Sequence, residues 1–498
     1  MRIQQFLEHH GLSANPFADE DAQTDLVFKG YCIKQTYHPA WDKIYGNPLE
    51  PATAIVFGAK GSGKTALRLQ IARHLADHNA DHPRQRVFVI QYDDFNPYLD
   101  HLRERFRGRK RRVERVLSEW RLWDHVDALL ALGVTQLVDR ALKVPRTDHA
   151  AACDIQPVEP AALDQHEARD FLLLAACYDQ SMAQAGTDRW AKLRRKLGLP
   201  VWPTYIPLVL GIVLSLVIAG LIVWQGWWGY LATPWPYLAW AASWGPWLWQ
   251  QAKGWWRARR ILRHARCLNH DGKRLRRVLV RLGDRHLSGQ PMPVAQRTDD
   301  RYEMLAKLQA ILGEMGFSGI VVLVDRVDEP YLITGSAELM RALVWPLLDN
   351  KLLKHPGLGL KLLLPDELLR FVDREDASFH QRARLDKQNL VRSLDWTGES
   401  LYDLANARLA ACTVAGREPA RLDDLFDEAV YPQRLLEAIR GLKVPRHLFK
   451  LLYRLLVAHT NAHTDAQPVY RVSAATFESV LALYHRDHEA FDRGTGAL

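Results

Sequence analysis

Residues 54–75 read Ala-Ile-Val-Phe-Gly-Ala-Lys-Gly-Ser-Gly-Lys-Thr-Ala-Leu-Arg-Leu-Gln-Ile-Ala-Arg-His-Leu. A strand-like apolar run (54–57) precedes the glycine-rich stretch Gly58–Thr65, and a helical apolar pattern (66–75) follows it. The glycine-rich stretch matches the spacing G-x-x-x-x-G-K-[ST] without a mismatch. Glycines let backbone N–H groups turn inward around phosphate oxygens, and a helix N-terminus favours negative charge. The sequence therefore predicts a phosphate-binding loop, or P-loop, between a strand and a helix.

The whole loop is the candidate nucleotide-binding segment. Its members are Gly58, Ala59, Lys60, Gly61, Ser62, Gly63, Lys64 and Thr65. An ammonium at position 64 suits the β- and γ-phosphates of a nucleotide, and a hydroxyl at position 65 suits Mg²⁺. We therefore expect ATP and Mg²⁺ as cofactors.

A second apolar strand ends in a carboxylate. Gly319-Ile-Val-Val-Leu-Val-Asp325 is continuous and β-branched, as is typical of a strand inside a parallel sheet. Asp325 is the candidate metal-associated and catalytic carboxylate. Arg326 stands where many ATPases carry an acid that polarises the attacking water, so Asp328 and Glu329 are the alternative catalytic candidates. An ordinary polar loop start would account for those two acids equally well.

Two more apolar runs complete a predicted sheet. They span 86–93, after the P-loop helix, and 358–364, where the following Asp366 is a candidate γ-phosphate sensor. Alternating strands and helices in this order favour an α/β fold with a mainly parallel sheet and nucleotide at the carboxyl ends of the strands.

Residues 197–252 contain no Asp, Glu, Lys or Arg, and nine of the 17 tryptophans lie among them. Residues 205–224 form an apolar run long enough to cross about 30 Å of hydrocarbon as a helix. A second run, 230–249, is aromatic and is interrupted by Pro234, Pro236 and Pro246. The pattern predicts a two-helix transmembrane hairpin, with a re-entrant or interfacial segment as the alternative for the second run.

The charge distribution supports this interpretation. The net charge of +9 is concentrated beside the apolar segment, with five Lys or Arg residues in 189–196 and eleven in 253–281. Lys/Arg on both flanks is typical of cytoplasmic ends, so we expect a multi-pass membrane protein with both termini cytoplasmic. The Ala-, Arg- and Leu-rich composition suggests a bacterium, and the membrane is then the bacterial inner membrane. Because the basic charge is local, a nucleic-acid partner is not indicated. No apolar stretch near Met1 resembles a cleavable signal peptide, and the scattered cysteines predict neither a disulfide framework nor a zinc site.

Both parts of the predicted ATP site must lie on the same side of the membrane, so the chain between Thr65 and Asp325 must cross it an even number of times. An interfacial hairpin that never crosses satisfies the same condition. Gly211, Ser215 and Ala219 form a small-residue stripe on the first run, which favours close packing against either the second run or another subunit. The expected partners are thus the lipid bilayer and either a second copy or another membrane or cytosolic protein.

Helical apolar spacing dominates beyond residue 390. Arg446, at a predicted helix start, is a candidate γ-phosphate contact, with an ordinary solvent-exposed start residue as the alternative. Arg382 and Arg384 could act as an arginine finger on a neighbouring subunit, and a solvated loop is the interpretation we favour for them. The predicted segments are 1–100 (first half of the nucleotide-binding core), 101–196 (helical insert), 197–252 (hairpin), 253–315 (basic juxtamembrane helices), 316–390 (second half of the core) and 391–498 (C-terminal helical lid).

This layout resembles that of KAP-type P-loop NTPases and their bacterial relatives among the STAND and AAA-like ATPases. The resemblance rests on the early P-loop, the inserted hairpin and the strand end Val324-Asp325-Arg326-Val327-Asp328-Glu329. KAP proteins usually read Asp-Asp-x-Asp-Arg at that strand end, so Arg326 departs from their pattern. The resemblance implies a membrane-associated ATP-dependent switch, often in bacterial signalling or antiviral defence. A motor or assembly ATPase of a secretion or transport complex, and a nucleotide-gated membrane effector or scaffold with little turnover, are the alternatives.

Overall fold

A computed structural model describes residues 1–144, 163–181, 186–200, 202–226 and 228–492. Its five strands are β1 (Ala54–Gly58), β2 (Arg86–Tyr92), β3 (Phe317–Val324), β4 (Leu358–Pro365) and β5 (Asn389–Val391). They form one parallel sheet in the order β2-β3-β4-β1-β5. The α/β class and the mainly parallel sheet predicted from sequence are therefore confirmed.

The central strands are buried along their whole length. Every residue of β1 and β4 is buried, and β1 pairs in parallel with β4 from Ala54 opposite Lys361 to Gly58 opposite Pro365. Continuous apolar runs, rather than alternating ones, are what a sheet covered on both faces requires. Because all strands run the same way, the loops after β1 and β3 leave from the same edge of the sheet.

Helices make up most of the remaining described chain. Their bounds are Ile3–His9, Leu26–Gly30, Trp41–Tyr45, Lys64–Asp81, Asn96–Glu104, Val113–Ser118, Leu122–Ala141, Gln165–Tyr178, Gly186–Lys196, Ile206–Trp224, Trp235–Ser243, Gly245–His264, Gly272–Leu282, Asp284–Leu287, Asp299–Glu314, Ala337–Val344, Asn350–Leu353, Glu367–Arg374, Ala377–Ala383, Gly398–Cys412, Pro432–Arg440, Pro445–Ala462 and Ala474–Asp492.

The chain packs into two compact units. The first unit comprises Met1–His78, Leu323–Val327 and the described part of Gly359–Leu498, and the second comprises the described parts of Asn79–Val322 and Asp328–Leu358. The first unit therefore contains β1, most of β4, the whole P-loop and the residue at the carboxyl end of β3.

Within the first unit the N-terminal segment packs on the C-terminal helices. Phe6, Leu12 and Phe17 belong to one hydrophobic core with residues of the four helices between Gly398 and Asp492. A buried ion pair joins the same parts, because Arg408 Nη1 lies 2.6 Å from Asp25 Oδ2. The sequence had grouped residues 1–100 with the nucleotide-binding core alone, and this long-range packing was not expected.

The second unit is built around the helix Leu122–Ala141, which buries fourteen of its twenty residues. Asp127 on this helix accepts two hydrogen bonds from Arg301, and both side chains are fully buried. Tyr178 Oη donates a third hydrogen bond to Asp127, over 2.9 Å. Three helices are thus joined by one buried polar cluster, Asp127–Arg301–Tyr178.

The first predicted membrane run forms the helix Ile206–Trp224. It has 19 residues, a mean hydropathy of 2.9 in its most apolar window, and only 6% of that window buried inside the molecule. Among the described residues it is the one helix that is long and apolar enough to cross a membrane.

The second predicted run, 230–249, does not form the single membrane-spanning helix that the sequence predicted. It is divided between the helix Trp235–Ser243 and the start of the helix Gly245–His264, with Trp244 at the break. Pro246 has no N–H group to donate to the preceding turn, which accounts for the interruption. The described residues thus contain no second helix that is both long and apolar enough to cross a membrane, and the two-helix hairpin is not shown.

The two apolar runs nevertheless contact each other. Trp244 Nε1 donates a hydrogen bond to Ser215 Oγ over 3.1 Å. Gly211 lies so close that a Cβ there would sit 3.4 Å from the Trp244 ring. Of the two roles predicted for the small-residue stripe, the structure shows Gly211 and Ser215 in contact with the second run.

Candidate nucleotide-binding site

Two glycines give the P-loop its shape. Gly61 and Gly63 have φ angles of 90° and 95°, a region that residues with a Cβ rarely adopt. Space is also limiting at Gly61, because a Cβ there would lie 2.6 Å from Arg446 Cβ. The helix Lys64–Asp81 begins immediately after this turn, so its N-terminus faces into the loop.

Lys64 lies across the loop that precedes it. Its Nζ donates hydrogen bonds to the carbonyl oxygens of Gly58 (2.6 Å) and Ala59 (3.0 Å). The ammonium is thereby held beside the carboxyl end of β1, within the ring of loop backbone. A cation in this position is suited to a polyphosphate.

Thr65 and Asp325, which are far apart in sequence, are in contact. Thr65 Oγ1 donates a hydrogen bond to Asp325 Oδ2 over 3.0 Å, and Asp325 is only 2% exposed. Burial raises the pKa of this carboxyl, whereas the nearby Arg68 guanidinium and the Thr65 hydrogen bond act in the opposite direction. The structure therefore brings together the hydroxyl and the carboxylate predicted to hold a metal.

Arg68 is a member of the site that the sequence analysis missed. Its Nε lies 3.3 Å from Asp325 Oδ2, and the two side chains are 1% and 2% exposed. Arg68 follows Lys64 by one helical turn, so both project from one side of the helix. That spacing was a signal in the sequence, but nothing local showed that a carboxylate would meet it.

The C-terminal helices contact the loop inside the first unit. The Arg446 backbone N–H donates to the Gly61 carbonyl over 3.4 Å, and Arg446 Nε lies 3.6 Å from a carboxylate oxygen of Glu20. Trp396 Nε1 donates to the Ser62 carbonyl over 2.9 Å. The Arg446 backbone thus lies against the loop while its guanidinium pairs with Glu20, and Trp396 is a second contact to which the sequence analysis gave no role.

The remaining sequence candidates lie in several places. Asp366 is exposed directly after β4, next to Glu367, whose pKa is raised by burial and by Asp366 and lowered by the Lys64 charge. Asp328 and Glu329 lie in the second unit, where the Asp328 carbonyl accepts a hydrogen bond from the Gly335 N–H over 3.1 Å.

The arginines among the candidates differ in backbone conformation. Arg382 is exposed on the helix Ala377–Ala383, and Arg384, at its end, is exposed with a φ of 45°. Arg326 has a φ of 59°, also in the left-handed region that favours glycine. Backbone strain of this kind is concentrated at functional sites in proteins, and here it directly follows Asp325.

The side chains at the loop fit a magnesium nucleotide. A hydroxyl (Thr65) and a carboxylate (Asp325) are hard oxygen donors, and Mg²⁺ binds through few protein ligands together with phosphates and water. Ser62 Oγ is buried in the loop without a hydrogen-bond partner. Within the described residues no group of three or more His, Cys, Asp or Glu side chains forms an alternative metal site.

Comparisons with known proteins add no relative to this picture. No protein-family model, no curated protein and no solved structure matches the chain. The assignment of a function therefore depends on the chemistry of the site itself.

Proposed function

We propose that this protein is a membrane-attached P-loop ATPase that acts as an ATP-dependent conformational switch. The observation that carries the proposal is the hydrogen bond from Thr65 to the buried Asp325, directly beneath a glycine loop that holds Lys64. A P-loop motif alone is a sequence pattern. Its contact with a buried carboxylate at the end of a neighbouring parallel strand is the arrangement that magnesium-dependent phosphoryl transfer requires.

Each residue has a defined part in this proposal. The loop backbone from Gly58 to Gly63 surrounds the phosphates, and Lys64 exchanges its two carbonyl acceptors for phosphate oxygens. Thr65 and Asp325 would hold Mg²⁺, which would neutralise charge on the phosphates. We propose ATP rather than another nucleotide because the sequence resembles that of KAP-type ATPases.

The contacts of the C-terminal helices with the loop support a switch. Arg446 touches Gly61 and Trp396 touches Ser62, so a nucleotide that fills the loop must keep or displace both contacts. Binding energy that differs between two arrangements of these helices would shift their equilibrium. Because the sequence resembles that of KAP-type proteins, we propose that the switch acts in bacterial defence or signalling.

Arg326 favours a second candidate, a nucleotide-gated effector or scaffold with little turnover. Its strained backbone and basic side chain occupy the position after Asp325 where an acid would polarise water. In this second candidate ATP stabilises one arrangement and is hydrolysed slowly or not at all. The motor alternative has no comparable observation in its favour.

Hydrolysis by the detergent-purified full chain separates the two candidates. For the switch, we expect magnesium-dependent turnover that falls by about 100-fold or more in Asp325→Asn, because the metal-associated carboxylate is lost. Glu338→Gln, which changes an exposed acid on another helix, is the matched control. Full turnover in Asp325→Asn would contradict the proposal. Asp328→Asn and Glu329→Gln, measured in parallel, test the two acids as candidate bases, and tight nucleotide binding without turnover would favour the scaffold.

The membrane attachment is supported by two neighbouring helices. Ile206–Trp224 is apolar and exposed, and Gly245–His264 carries a stripe of Trp249, Lys253, Trp256, Arg260 and Arg263 at alternating spacings of four and three residues. Trp249 and Trp256 are 64% and 62% exposed, whereas Gly254, Ala258 and Ile261 are buried. Tryptophans followed by arginines are typical of a helix that leaves the bilayer on its cytoplasmic side.

Alkaline carbonate extraction of membranes from cells expressing the full chain tests this attachment. We expect the wild type to remain in the membrane pellet and the double variant Leu210→Arg/Val217→Arg to be released, since each central arginine costs about 3 kcal/mol in insertion. Leu483→Arg, at a 46% exposed position on the helix Ala474–Asp492, should remain in the pellet. Quantitative release of the wild type would contradict membrane insertion.

A further inference from the structure

Asp325 is neutralised by the protein itself. Its Oδ2 lies within reach of both the Thr65 hydroxyl (3.0 Å) and Arg68 Nε (3.3 Å). Arg68 is 1% exposed, so its charge is not screened by solvent as a surface arginine would be. A buried carboxylate paired with a buried guanidinium does not need a metal ion to balance its charge.

This pairing changes the electrostatics of the loop before any ligand arrives. An unpaired Asp325 would repel the phosphates of a nucleotide unless a divalent cation lay between them. The Arg68 charge offsets that of Asp325, and the Lys64 ammonium lies within the loop. The positive end of the helix Lys64–Asp81 adds to this attraction.

We infer that Arg68 is a built-in counter-ion of Asp325, which positions this carboxylate and lets the loop hold a nucleotide before a divalent metal is bound. The inference rests on the proposed nucleotide binding and extends it to the order of binding. Arg68 acts through Asp325 and is therefore a positioning residue. Thr65 and Arg68 hold the Asp325 carboxylate in the position from which it would bind a divalent metal.

The test compares the affinity for a fluorescent ATP analogue in Mg²⁺ and in EDTA. In wild type we expect measurable binding in both. In Arg68→Met the dissociation constant in EDTA should rise about tenfold more than the constant in Mg²⁺, because the unpaired carboxylate then faces the phosphates. Arg68→Lys retains the charge and should recover much of the EDTA binding. Arg73→Met, on the same helix at a 42% exposed side chain, is the matched control.

The variant Asp325→Asn should change the affinity in EDTA in the opposite direction. It removes the negative charge beside Arg68, so binding in EDTA should become tighter than in wild type, and the double variant Arg68→Met/Asp325→Asn should return to about the wild-type affinity. This comparison decides the matter even if Arg68→Met alone does not fold. Equal EDTA affinities for Asp325→Asn and the double variant would overturn the inference. A wild type that binds the analogue in neither condition would instead contradict the proposed nucleotide binding.

Discussion

Replacing Lys64 with alanine is expected to weaken ATP binding by about 100-fold or more and to abolish any hydrolysis, because charge-assisted hydrogen bonds to phosphate each contribute about 1.5–3 kcal/mol. In the structure the Lys64 ammonium already lies in the loop, 2.6 Å from the Gly58 carbonyl oxygen. That carbonyl belongs to a buried strand, so the position of the ammonium is defined by the core of the sheet. Alanine removes the charge without disturbing the glycine turn.

Equilibrium binding of a fluorescent ATP analogue, together with phosphate release, measures this loss. Lys29→Ala removes an exposed lysine of the same unit and should bind as the wild type does. Lys64→Arg should also bind poorly, since a planar guanidinium does not replace a compact ammonium at this site. Wild-type affinity in Lys64→Ala would exclude the loop as the nucleotide site.

Replacing Arg301 with methionine is expected to cause the largest loss of stability, about 3–5 kcal/mol, because it leaves the buried carboxylate of Asp127 without its partner. Arg301 Nε and Nη2 each donate to Asp127 over 3.1 Å, and neither side chain is exposed. Burial raises the pKa of Asp127 to about 6 even though Arg301 acts to lower it. Without the guanidinium this carboxyl would have to be protonated or partly hydrated within the helix bundle.

Denaturant unfolding of the full chain, with a fluorescence probe of the second unit, measures this effect. The double variant Asp127→Asn/Arg301→Met should recover at least half of the loss, since no unpaired charge remains. Lys351→Met breaks an exposed pair with Asp299 and should leave the unfolding midpoint unchanged. An Arg301→Met protein as stable as the wild type would show that the Asp127–Arg301–Tyr178 cluster does not stabilise the bundle.

Arg301 also holds the end of the basic helix that follows the apolar segment. Its Nη2 donates to the His264 carbonyl over 3.2 Å, at the last residue of the helix Gly245–His264. Arg105 donates to the Leu262 carbonyl over 2.5 Å in the same terminal turn. These side chains satisfy carbonyl groups that a helix end leaves without intrahelical partners. The second unit therefore fixes the point where the helix Gly245–His264 ends.

Local patterns were sufficient to predict part of this protein. The spacing of Gly58, Gly63, Lys64 and Thr65, between an apolar strand and a helix, specified the loop because its shape depends on neighbouring residues alone. The strand before Asp325 could be predicted for the same reason, since a strand buried on both faces is a continuous apolar run. The apolar helix Ile206–Trp224 was equally local, because its length and composition are contained in one segment.

The break in the second apolar run shows a limit of composition. Residues 230–249 are uncharged and aromatic, but Pro246 removes one backbone donor and they are divided between two helices. A mean hydropathy changes little with one proline, whereas the helix loses a backbone hydrogen bond at that residue. The prolines were visible in the sequence, but their effect on the helix was decided by the folded backbone.

The sequence by itself determined the loop, the apolar strands and the apolar helix, because each depends on residues within one turn or one strand. Only the tertiary structure decided that Arg68 neutralises Asp325, that Trp396 reaches the loop, and that Phe6 packs with the C-terminal helices. These contacts join residues separated by hundreds of positions. The packing of the sheet and helices determines which residues meet, and the local spacing of residues in the sequence does not contain this information.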